Sequence, residues 1–407
     1  MNRDRFPGLA GGWARLDGPA GTQMVDVAIE AMAEFMRSGR NANHGGVFAA
    51  AHATDECVER ARAAVARLLG AEPAGLAFGP SMTAMTMRLS AAVGRTLAPG
   101  DEVVVTRLDH DANVRPWVIA AERAGATVRW AEPDRETLAL PASAVEAVLS
   151  SRTRWVAVTA ASNATGTVPE LEGIVAAAHA AGARISLDAV AAAPHRALSL
   201  AALGADTLAC SAYKWYGPHI GILCAAPALL EELGPDKLIV SPEEAPDRFE
   251  LGTLPFESLA GVEAAADYLL EVGFDAIRAH EEALMDEALA GLRAIDGVTL
   301  YGDPPDRVPT IMFNVDGLTS AQAATALAEH QIAVWDGNYY AHELERFLGL
   351  DPERSGDEAS GRGRGAVRAG FVHYNDEEDA RRLVEAVADV AAGSAVGVAE
   401  PSAEPPA

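Results

Sequence analysis

Lys214 stands in a sequence setting that is unusual for a lysine. It lies in the stretch CSAYKWYGPH, between Tyr213 and Trp215 and shortly after an apolar run. Most lysines are solvated surface residues, and a partly buried one commonly extends its ammonium group to water along its aliphatic stem. A lysine that is kept dry can instead have a neutral, nucleophilic amine. The stretch alone is compatible with both interpretations.

Four other residues that could carry chemistry also follow apolar runs. Ser81 lies in GPSMTAMT, which opens a helix; such a helix end can bind phosphate, although a serine there more often only caps the helix. His110 follows EVVVT and Asn163 follows WVAVTAAS, and both could be ordinary loop residues. Asp188 ends the apolar run RISLD, where a carboxylate needs a partner such as a helix cap or a salt bridge.

The runs that precede these residues are predicted strands. Several are continuously apolar, such as VVVT and WVAVTAA, which is typical of strands covered on both faces. Helical stretches such as LEGIVAAAHAA lie between them, and this alternation predicts an α/β fold with a mostly parallel sheet and helices on both faces. The seven predicted strands are 76–78, 102–106, 127–132, 154–162, 184–190, 207–211 and 221–225.

The pattern changes after Phe256, where a long helix-rich stretch precedes VTLYG, PTIMFNV and VRAGFVHYN. These segments and a last helix at 377–392 predict a smaller C-terminal α+β domain. The tail GSAVGVAEPSAEPPA is rich in Pro, Ala and Glu, which predicts disorder. The predicted division is an N-terminal segment 1–22 that packs with the small domain, a large domain 23–256, a small domain 257–393 and a disordered tail 394–407.

The composition narrows the function classes. The 407 residues carry a formal net charge of -26, and such a surface repels nucleic acid and anionic membranes. Cys57, Cys210 and Cys224 are too few and too widely spaced for a disulfide framework or a zinc site, so we expect no metal and a reducing cytoplasm. The N-terminus lacks the apolar region of a signal peptide, and no apolar run is long enough to cross a bilayer.

Each of the five candidates follows a predicted strand, so all five fall at the carboxyl edge of the predicted sheet. Ligands of open α/β sheets bind at this edge. The five candidates comprise hydroxyls at a helix end, an imidazole, an amide, a buried acid and a lysine. Pyridoxal 5'-phosphate (PLP) accounts for all of them, since it has a phosphate, a flat ring, a phenolic oxygen, a basic ring nitrogen and an aldehyde. Its aldehyde needs a lysine, and its ring nitrogen needs an acid.

The ordered motifs DHDAN, SNATG, LDAV and CSAYKWYGPH resemble those of the class V aminotransferases, which are fold-type I PLP enzymes. The resemblance extends from RLDGPAGTQ to VRAGFVHYNDEED and is nearest to the cysteine desulfurase and selenocysteine lyase branch. It implies that Lys214 holds the cofactor as a Schiff base and that Asp188 pairs with the ring nitrogen. His110 would stack on the ring, and Asn163 would contact the phenolic oxygen side.

The resemblance also implies a homodimer with shared active sites that acts on a small amino acid. The phosphate would be held by Ser81, the backbone of Met82, Ser211 and, from the second subunit, Thr253. Arg368 in VRAGF would bind the substrate carboxylate. The segment VWDGNYYAHEL would supply Asn338 and Tyr339 to the substrate side, where its aromatic residues suggest a wall for a large side chain, although a packed strand end is an equal interpretation.

Two departures from the family pattern bear on the reaction. Ala191 occupies a position where relatives carry Gln or His, which puts the tuning of the cofactor ring in question. Desulfurases carry a sulfur-accepting cysteine shortly before the substrate arginine, and residues 332–368 contain none.

The reaction predicted first is therefore β-elimination from cysteine or a cysteine S-conjugate. In it, Lys214 removes the Cα proton and His110 or Tyr339 protonates the leaving group. Transamination, epimerisation and decarboxylation in a biosynthetic pathway remain alternatives. So does a non-catalytic PLP-binding or sulfur-relay protein, against which the intact Lys214, Asp188 and Arg368 argue.

Overall fold

The computed structural model describes residues 2–350 and 365–396. The strands are β1 (Ala14–Arg15), β2 (Leu76–Gly79), β3 (Glu102–Thr106), β4 (Thr127–Ala131), β5 (Thr153–Thr159), β6 (Arg184–Asp188), β7 (Thr207–Ser211), β8 (Gly221–Ala225), β9 (Val298–Leu300), β10 (Thr310–Val315), β11 (Ile332–Ala333), β12 (Trp335–Gly337) and β13 (Ala366–Gly370). The helices are α1 (Asp26–Arg37), α2 (Ala49–Leu69), α3 (Met82–Gly94), α4 (Arg115–Ala124), α5 (Ala142–Glu146), α6 (Leu171–Ala180), α7 (Leu200–Leu203), α8 (Pro227–Glu232), α9 (Phe256–Val272), α10 (Phe274–Arg293), α11 (Ser320–Glu329), α12 (His342–Leu348) and α13 (Glu377–Val396).

The larger sheet confirms all seven predicted strands, in the order β2-β8-β7-β6-β5-β3-β4. Strand β8 runs antiparallel to both of its neighbours, and the pairs from β7 to β4 are parallel. Alternate residues of each strand enter two separate apolar cores: Val104 and Val156 lie in one, and Val103 and Trp155 in the other. Burial on both faces explains why these strands read as continuous apolar runs.

Two strands end earlier than the sequence indicated, and both ends shape the site. β5 stops at Thr159, because the next residues form a tight turn in which the Gly166 N–H donates to the Ser162 carbonyl over 3.0 Å. β6 stops at Asp188, whose carboxylate accepts from the Val190 N–H over 2.9 Å. A short polar side chain that bonds its own backbone two residues on ends a strand in this way.

The C-terminal unit is built on a four-stranded antiparallel sheet in the order β12-β13-β10-β9. β1 pairs with β11, and Ala14 and Leu16 lie in the core of this unit. Helix α9 packs against α1 and α2, and its Leu259 lies in the same apolar core as Phe78 of β2. The domain boundary between residues 256 and 257 remains a prediction. The packing of α9 favours a boundary further along the chain.

The end of the chain differs in part from the expectation. The last helix extends to Val396, so residues 394–396 continue it and are not the start of a disordered tail. Residues 397–407 of the predicted tail lie outside the described part of the chain. In the described part, no helix combines the length and the apolar character needed to cross a membrane.

Candidate active site

A cavity of about 670 Å³ opens between the carboxyl edge of the large sheet and the C-terminal unit. The two units contribute to its wall as follows: Ala20, His110, Asn163, Tyr213 and Lys214 from one side, and Trp335, Asn338, Tyr339, Tyr340 and Arg368 from the other. Six of the residues that the sequence singled out therefore meet in one space, although His110 and Arg368 are 258 positions apart.

Lys214 ends the 3-10 turn Ala212–Lys214 directly after β7. Its Nζ donates to the carbonyl of Pro19 and lies 5.2 Å from the centre of the Tyr213 ring. Burial, and then the charge of Arg368, lower the pKa of Lys214 to about 7, while the charge of Asp188 opposes the shift. A large share of this amine is neutral at neutral pH, so the environment is that of a nucleophilic lysine rather than a solvated one.

Asp188 lies at the buried end of β6, close enough to Lys214 for their charges to interact. Burial raises its pKa to about 6, against the hydrogen bond from Val190 and the charge of Lys214. The carboxylate does not line the cavity itself, but it is ionised at neutral pH and has one acceptor oxygen committed to Val190. It can therefore pair with a protonated ring nitrogen placed over the strand end.

His110 forms one wall of the cavity and caps the turn Asp111–Asn113, where its Nδ1 accepts from the Ala112 N–H over 3.0 Å. Burial, and then the charges of Lys214 and Arg368, lower the pKa of His110 to about 4. The imidazole is therefore neutral at neutral pH. Such a ring suits stacking on a flat cofactor, and it is a poor source of the proton that a leaving group would need.

Asp109 is a buried acid that the sequence reasoning missed. It accepts from Thr106 Oγ1 and, over 2.7 Å, from Asn113 Nδ2, and it is 1% exposed. Burial raises its pKa to about 7, and the charge of Asp188 adds to the shift. The motif DHDAN contained the signal, since an Asp and an Asn four positions apart can bond across one turn. Asp109 fixes the turn that presents His110.

Arg368 is buried on β13, and no acidic side chain in the described residues forms a salt bridge with it. Its Nη1 donates to the Asn163 carbonyl over 2.8 Å, and its guanidinium lies 4.4 Å from the centre of the Tyr339 ring. Burial lowers its pKa to about 10, so it remains charged at neutral pH. An arginine held in this way has donors free to bind a carboxylate.

The loop 338–341 is held by hydrogen bonds rather than left open. The Tyr339 hydroxyl donates to the Ala366 carbonyl, and burial raises its pKa well above the ordinary value. The Asn338 side chain accepts from the Tyr340 N–H over 3.0 Å and donates to Glu345 over 3.1 Å. In this arrangement the Tyr339 hydroxyl is engaged and does not supply a proton to a leaving group, while both side chains shape the cavity wall.

Three of the four predicted phosphate-binding residues, Ser81, Met82 and Ser211, lie together at the start of α3 and the end of β7. Ser81 caps α3 through its Oγ, which accepts from the Ala84 N–H over 3.2 Å, and the Met82 N–H donates to Ser211 Oγ over 2.9 Å. A Cβ atom on Gly221 would lie 2.1 Å from the Ser81 carbonyl carbon, so only glycine allows β8 to approach this helix end. A helix N-terminus with two hydroxyls is a suitable phosphate cradle.

Two further observations bear on whether PLP fits these residues. Asn163 lines the cavity, its Nδ2 donates to the Tyr339 carbonyl over 2.9 Å, and among the described residues its buried Oδ1 has no hydrogen-bond partner, so one polar atom of this amide is open to a donor of a bound ligand. Thr253 is exposed and lies outside this cavity, so its role in a second subunit stays a prediction. The described residues hold no cluster of three or more metal-binding side chains.

The comparisons with known proteins agree with this geometry. The family model of aminotransferase class V matches residues 14–383. The chain belongs to this family. Its members use PLP, so the protein is a PLP-dependent enzyme, and its relatives and structural neighbours include cysteine desulfurases.

The similarity to individual relatives extends over nearly the whole chain. An uncharacterized protein of Mycobacterium tuberculosis (strain CDC 1551 / Oshkosh) is 33% identical over 405 residues, covering 95% of this chain and 98% of the relative. A cysteine desulfurase of Yersinia pestis (strain Pestoides F) is 32% identical, covering 91% of each. The apo structure of the cysteine desulfurase from Thermococcus onnurineus NA1 superposes with a TM-score of 0.88 at 27% identity, covering 96% of this chain and 97% of that one. These findings place the chain in the cysteine desulfurase-like branch and confirm the fold-type I architecture.

Proposed function

We propose that the protein is a carbon–sulfur lyase that uses PLP to eliminate the sulfur substituent of cysteine or a cysteine S-conjugate. The observation that supports this choice is the placement of the cysteines. Cys57, Cys210 and Cys224 are fully buried and none lines the cavity; burial raises the pKa of Cys57 to about 11 and that of Cys210 to about 12. A persulfide carrier needs an accessible thiolate, whereas elimination needs no thiol from the protein.

Each of the following side chains has a separate role in this reaction. Arg368 binds the substrate carboxylate and fixes the direction of the Cα–H bond. Lys214, with a pKa of about 7, takes the Cα proton as general base, and the C–S bond breaks with both electrons leaving on sulfur. Bound PLP supplies the electron sink, whose ring nitrogen Asp188 keeps protonated. The remaining three-carbon fragment takes up water and ends as pyruvate and ammonia.

We also propose that the protein is a homodimer in the cytoplasm. Leu238, Ile239 and Val240 are 65%, 97% and 85% exposed, and the exposed Leu251 lies two positions before Thr253. Monomeric proteins rarely leave such a consecutive apolar run open, and a second subunit would cover it while placing its Thr253 at the phosphate. The three cysteines are free thiols, which agrees with a reducing compartment.

The experiment follows pyruvate with lactate dehydrogenase while the purified PLP-loaded enzyme acts on S-methyl-L-cysteine and L-cysteine. We expect pyruvate from both, and a loss of roughly 10³-fold in the Lys214→Ala variant. The chain offers a matched control, because Lys237 is its other lysine and bonds Ser241 outside the cavity, so Lys237→Ala should keep full activity.

Three results would contradict the proposal. Alanine from L-cysteine, with its sulfur released as sulfide when a thiol reductant is added, would show desulfuration despite the missing loop cysteine. A substrate-dependent change of the cofactor absorbance without pyruvate would show transamination or epimerisation. The absence of any spectral change with amino acids would leave a cofactor-binding protein without turnover.

A further inference from the structure

The segment 17–22, which we call the strap, crosses from the C-terminal sheet to the turn that carries Lys214. At its start, the Gly370 N–H donates to the Leu16 carbonyl over 2.9 Å, and Asp17 forms a bridge with Gly370. Pro19 lies so close that a Cβ atom on Gly370 would be 2.2 Å from its ring. The strap is therefore anchored to β13, two positions after Arg368.

The other end of the strap is bonded to both sides of Lys214. Thr22 donates from its N–H and from its Oγ1 to the Tyr213 carbonyl, over 3.1 and 3.0 Å. The same Oγ1 accepts from the Tyr216 N–H over 2.8 Å. One hydroxyl thus bridges the residue before Lys214 and the second residue after it.

The hydrogen bonds of the Thr22 hydroxyl support an unusual backbone conformation at Tyr216. Its φ is 69°, a left-handed conformation that is unfavourable for a residue with a side chain. The conformation turns the chain after Lys214 back into the sheet, and it persists only where surrounding contacts hold it. The Thr22 hydroxyl on its N–H, and the Val25 N–H on its carbonyl over 3.1 Å, are those contacts.

We propose that Thr22 is a positioning residue for Lys214, and that the strap holds the amine dry and in line with the arginine that binds substrate. The strap closes one side of the cavity with Ala20, and its Pro19 carbonyl accepts from Nζ. When the Lys214 amine is released from the cofactor, it can therefore donate to the fixed Pro19 carbonyl and return from there to the substrate. This inference rests on the proposed role of Lys214 but not on the fate of the substrate.

Other groups around Lys214 also influence the pKa of its amine. Asp188 of β6 opposes the loss of its charge, while Arg368 of β13 promotes it, and His110 is neutral there at neutral pH. The ring of Tyr213 covers the fourth side. Among the described residues, no side-chain hydrogen bond links Asp188, Arg368, His110 or the Tyr213 ring to Thr22, so a change at Thr22 acts on Lys214 through the strap.

The test uses the cofactor-free protein and does not depend on turnover. Because the chain has two lysines, the rate at which an amine reagent labels each can be followed by mass spectrometry across a pH series. In Thr22→Val the side-chain shape is kept and the hydroxyl is lost. We expect the midpoint for Lys214 to rise by about one pH unit as water reaches the amine, while the profile of Lys237 stays unchanged. In the loaded enzyme kcat should fall about 10- to 100-fold, and KM much less.

Two companion variants complete the test. Thr22→Ser retains the hydroxyl and should keep the wild-type midpoint. Gly21→Ala would place a Cβ atom 3.3 Å from the Tyr213 ring, so the strap and this ring must move apart by a few tenths of an ångström while the Thr22 hydroxyl is kept, and this variant carries the test if Thr22→Val does not fold. An unchanged midpoint in both Thr22→Val and Gly21→Ala, or a shift in Thr22→Ser equal to that of Thr22→Val, would overturn the proposal. Absence of pyruvate from the wild-type enzyme, together with the expected midpoint shift in Thr22→Val, would contradict the proposed function and leave the strap proposal standing.

Discussion

The chemistry proposed for Lys214, Asp188 and Arg368 depends on where these residues are buried, and not on their types alone. The pKa of Lys214 falls to about 7, that of Asp188 rises to about 6, and that of Arg368 falls to about 10, in each case mainly through burial. Each shift favours the neutral form, yet Asp188 and Arg368 remain charged at neutral pH. The site thus combines an amine that can lose its proton with two groups that are charged at neutral pH and could orient a ligand.

At Arg368 we predict a binding defect in the Arg368→Lys variant. Lysine keeps the charge but cannot bind a carboxylate through two parallel N–H donors. Losing one charged hydrogen bond of about 1.5–3 kcal/mol should raise KM for S-methyl-L-cysteine about 10- to 100-fold, with a smaller effect on kcat. Steady-state pyruvate assays measure both constants. Arg60→Lys, in a surface salt bridge with Glu263, is the control, and equal defects in the two variants would argue against a substrate contact.

At His110 we predict a pH dependence of stability in the cofactor-free protein. Its pKa is about 4 in the folded chain against an ordinary value of 6.5, so the folded state favours the neutral ring. The resulting contribution is fully present above pH 6.5 and is lost as the pH falls through 4. Urea unfolding at pH 7.5 and 4.5 should show that wild type loses roughly 2–3 kcal/mol more than His110→Phe, which cannot titrate. Equal losses would mean that the pKa of His110 is not depressed.

At the scale of elements, the site depends on how strand ends meet helix ends. The carboxyl ends of β5, β6 and β7 lie at one edge, and parallel pairing brings their following residues together. The hydroxyl of Ser211, at the end of β7, bonds the first turn of α3 through Met82. This single contact joins the lysine strand to the predicted phosphate cradle.

We predict that Ser211→Ala weakens this junction. The buried Met82 N–H loses its acceptor, which should cost about 1–3 kcal/mol of unfolding free energy and lower the affinity for PLP. Thermal unfolding with and without PLP measures both effects. Ser90→Ala is the matched control, because that hydroxyl bonds only the Met87 carbonyl within α3, and it should leave PLP binding unchanged. A Ser211→Ala variant that binds PLP normally would remove Ser211 from the cradle.

At the scale of the whole molecule, the apolar run 238–240 and the separate position of Thr253 share one explanation, the proposed second subunit. We predict that the protein elutes at about twice its 42.4 kDa mass and that Ile239→Asp shifts it toward the monomer. Cofactor retention should fall with dimer content, because each site would lose the Thr253 supplied by its neighbour. Leu270→Asp, at a half-exposed position of α9, is the control. A monomeric wild type would refute the shared site.

From the sequence alone we predicted the seven strands, the parallel sheet and the set of residues at its carboxyl edge. These follow from local patterns, because a strand buried on both faces must be apolar throughout and the residues after parallel strands share one edge. The combination of five such residues, and not the motif around Lys214 alone, led to the cofactor.

Local sequence patterns did not predict the contacts between segments that are distant along the chain. The carbonyl that accepts from Lys214 belongs to Pro19, 195 positions away, and the hydroxyl that bridges its neighbours belongs to Thr22. The engaged hydroxyl of Tyr339 and the buried Asp109 were likewise not predicted. Such contacts depend on how the N-terminal strap and the C-terminal sheet pack across the cavity. The pKa values that make the chemistry feasible depend in turn on that packing, because burial is the main cause of each shift.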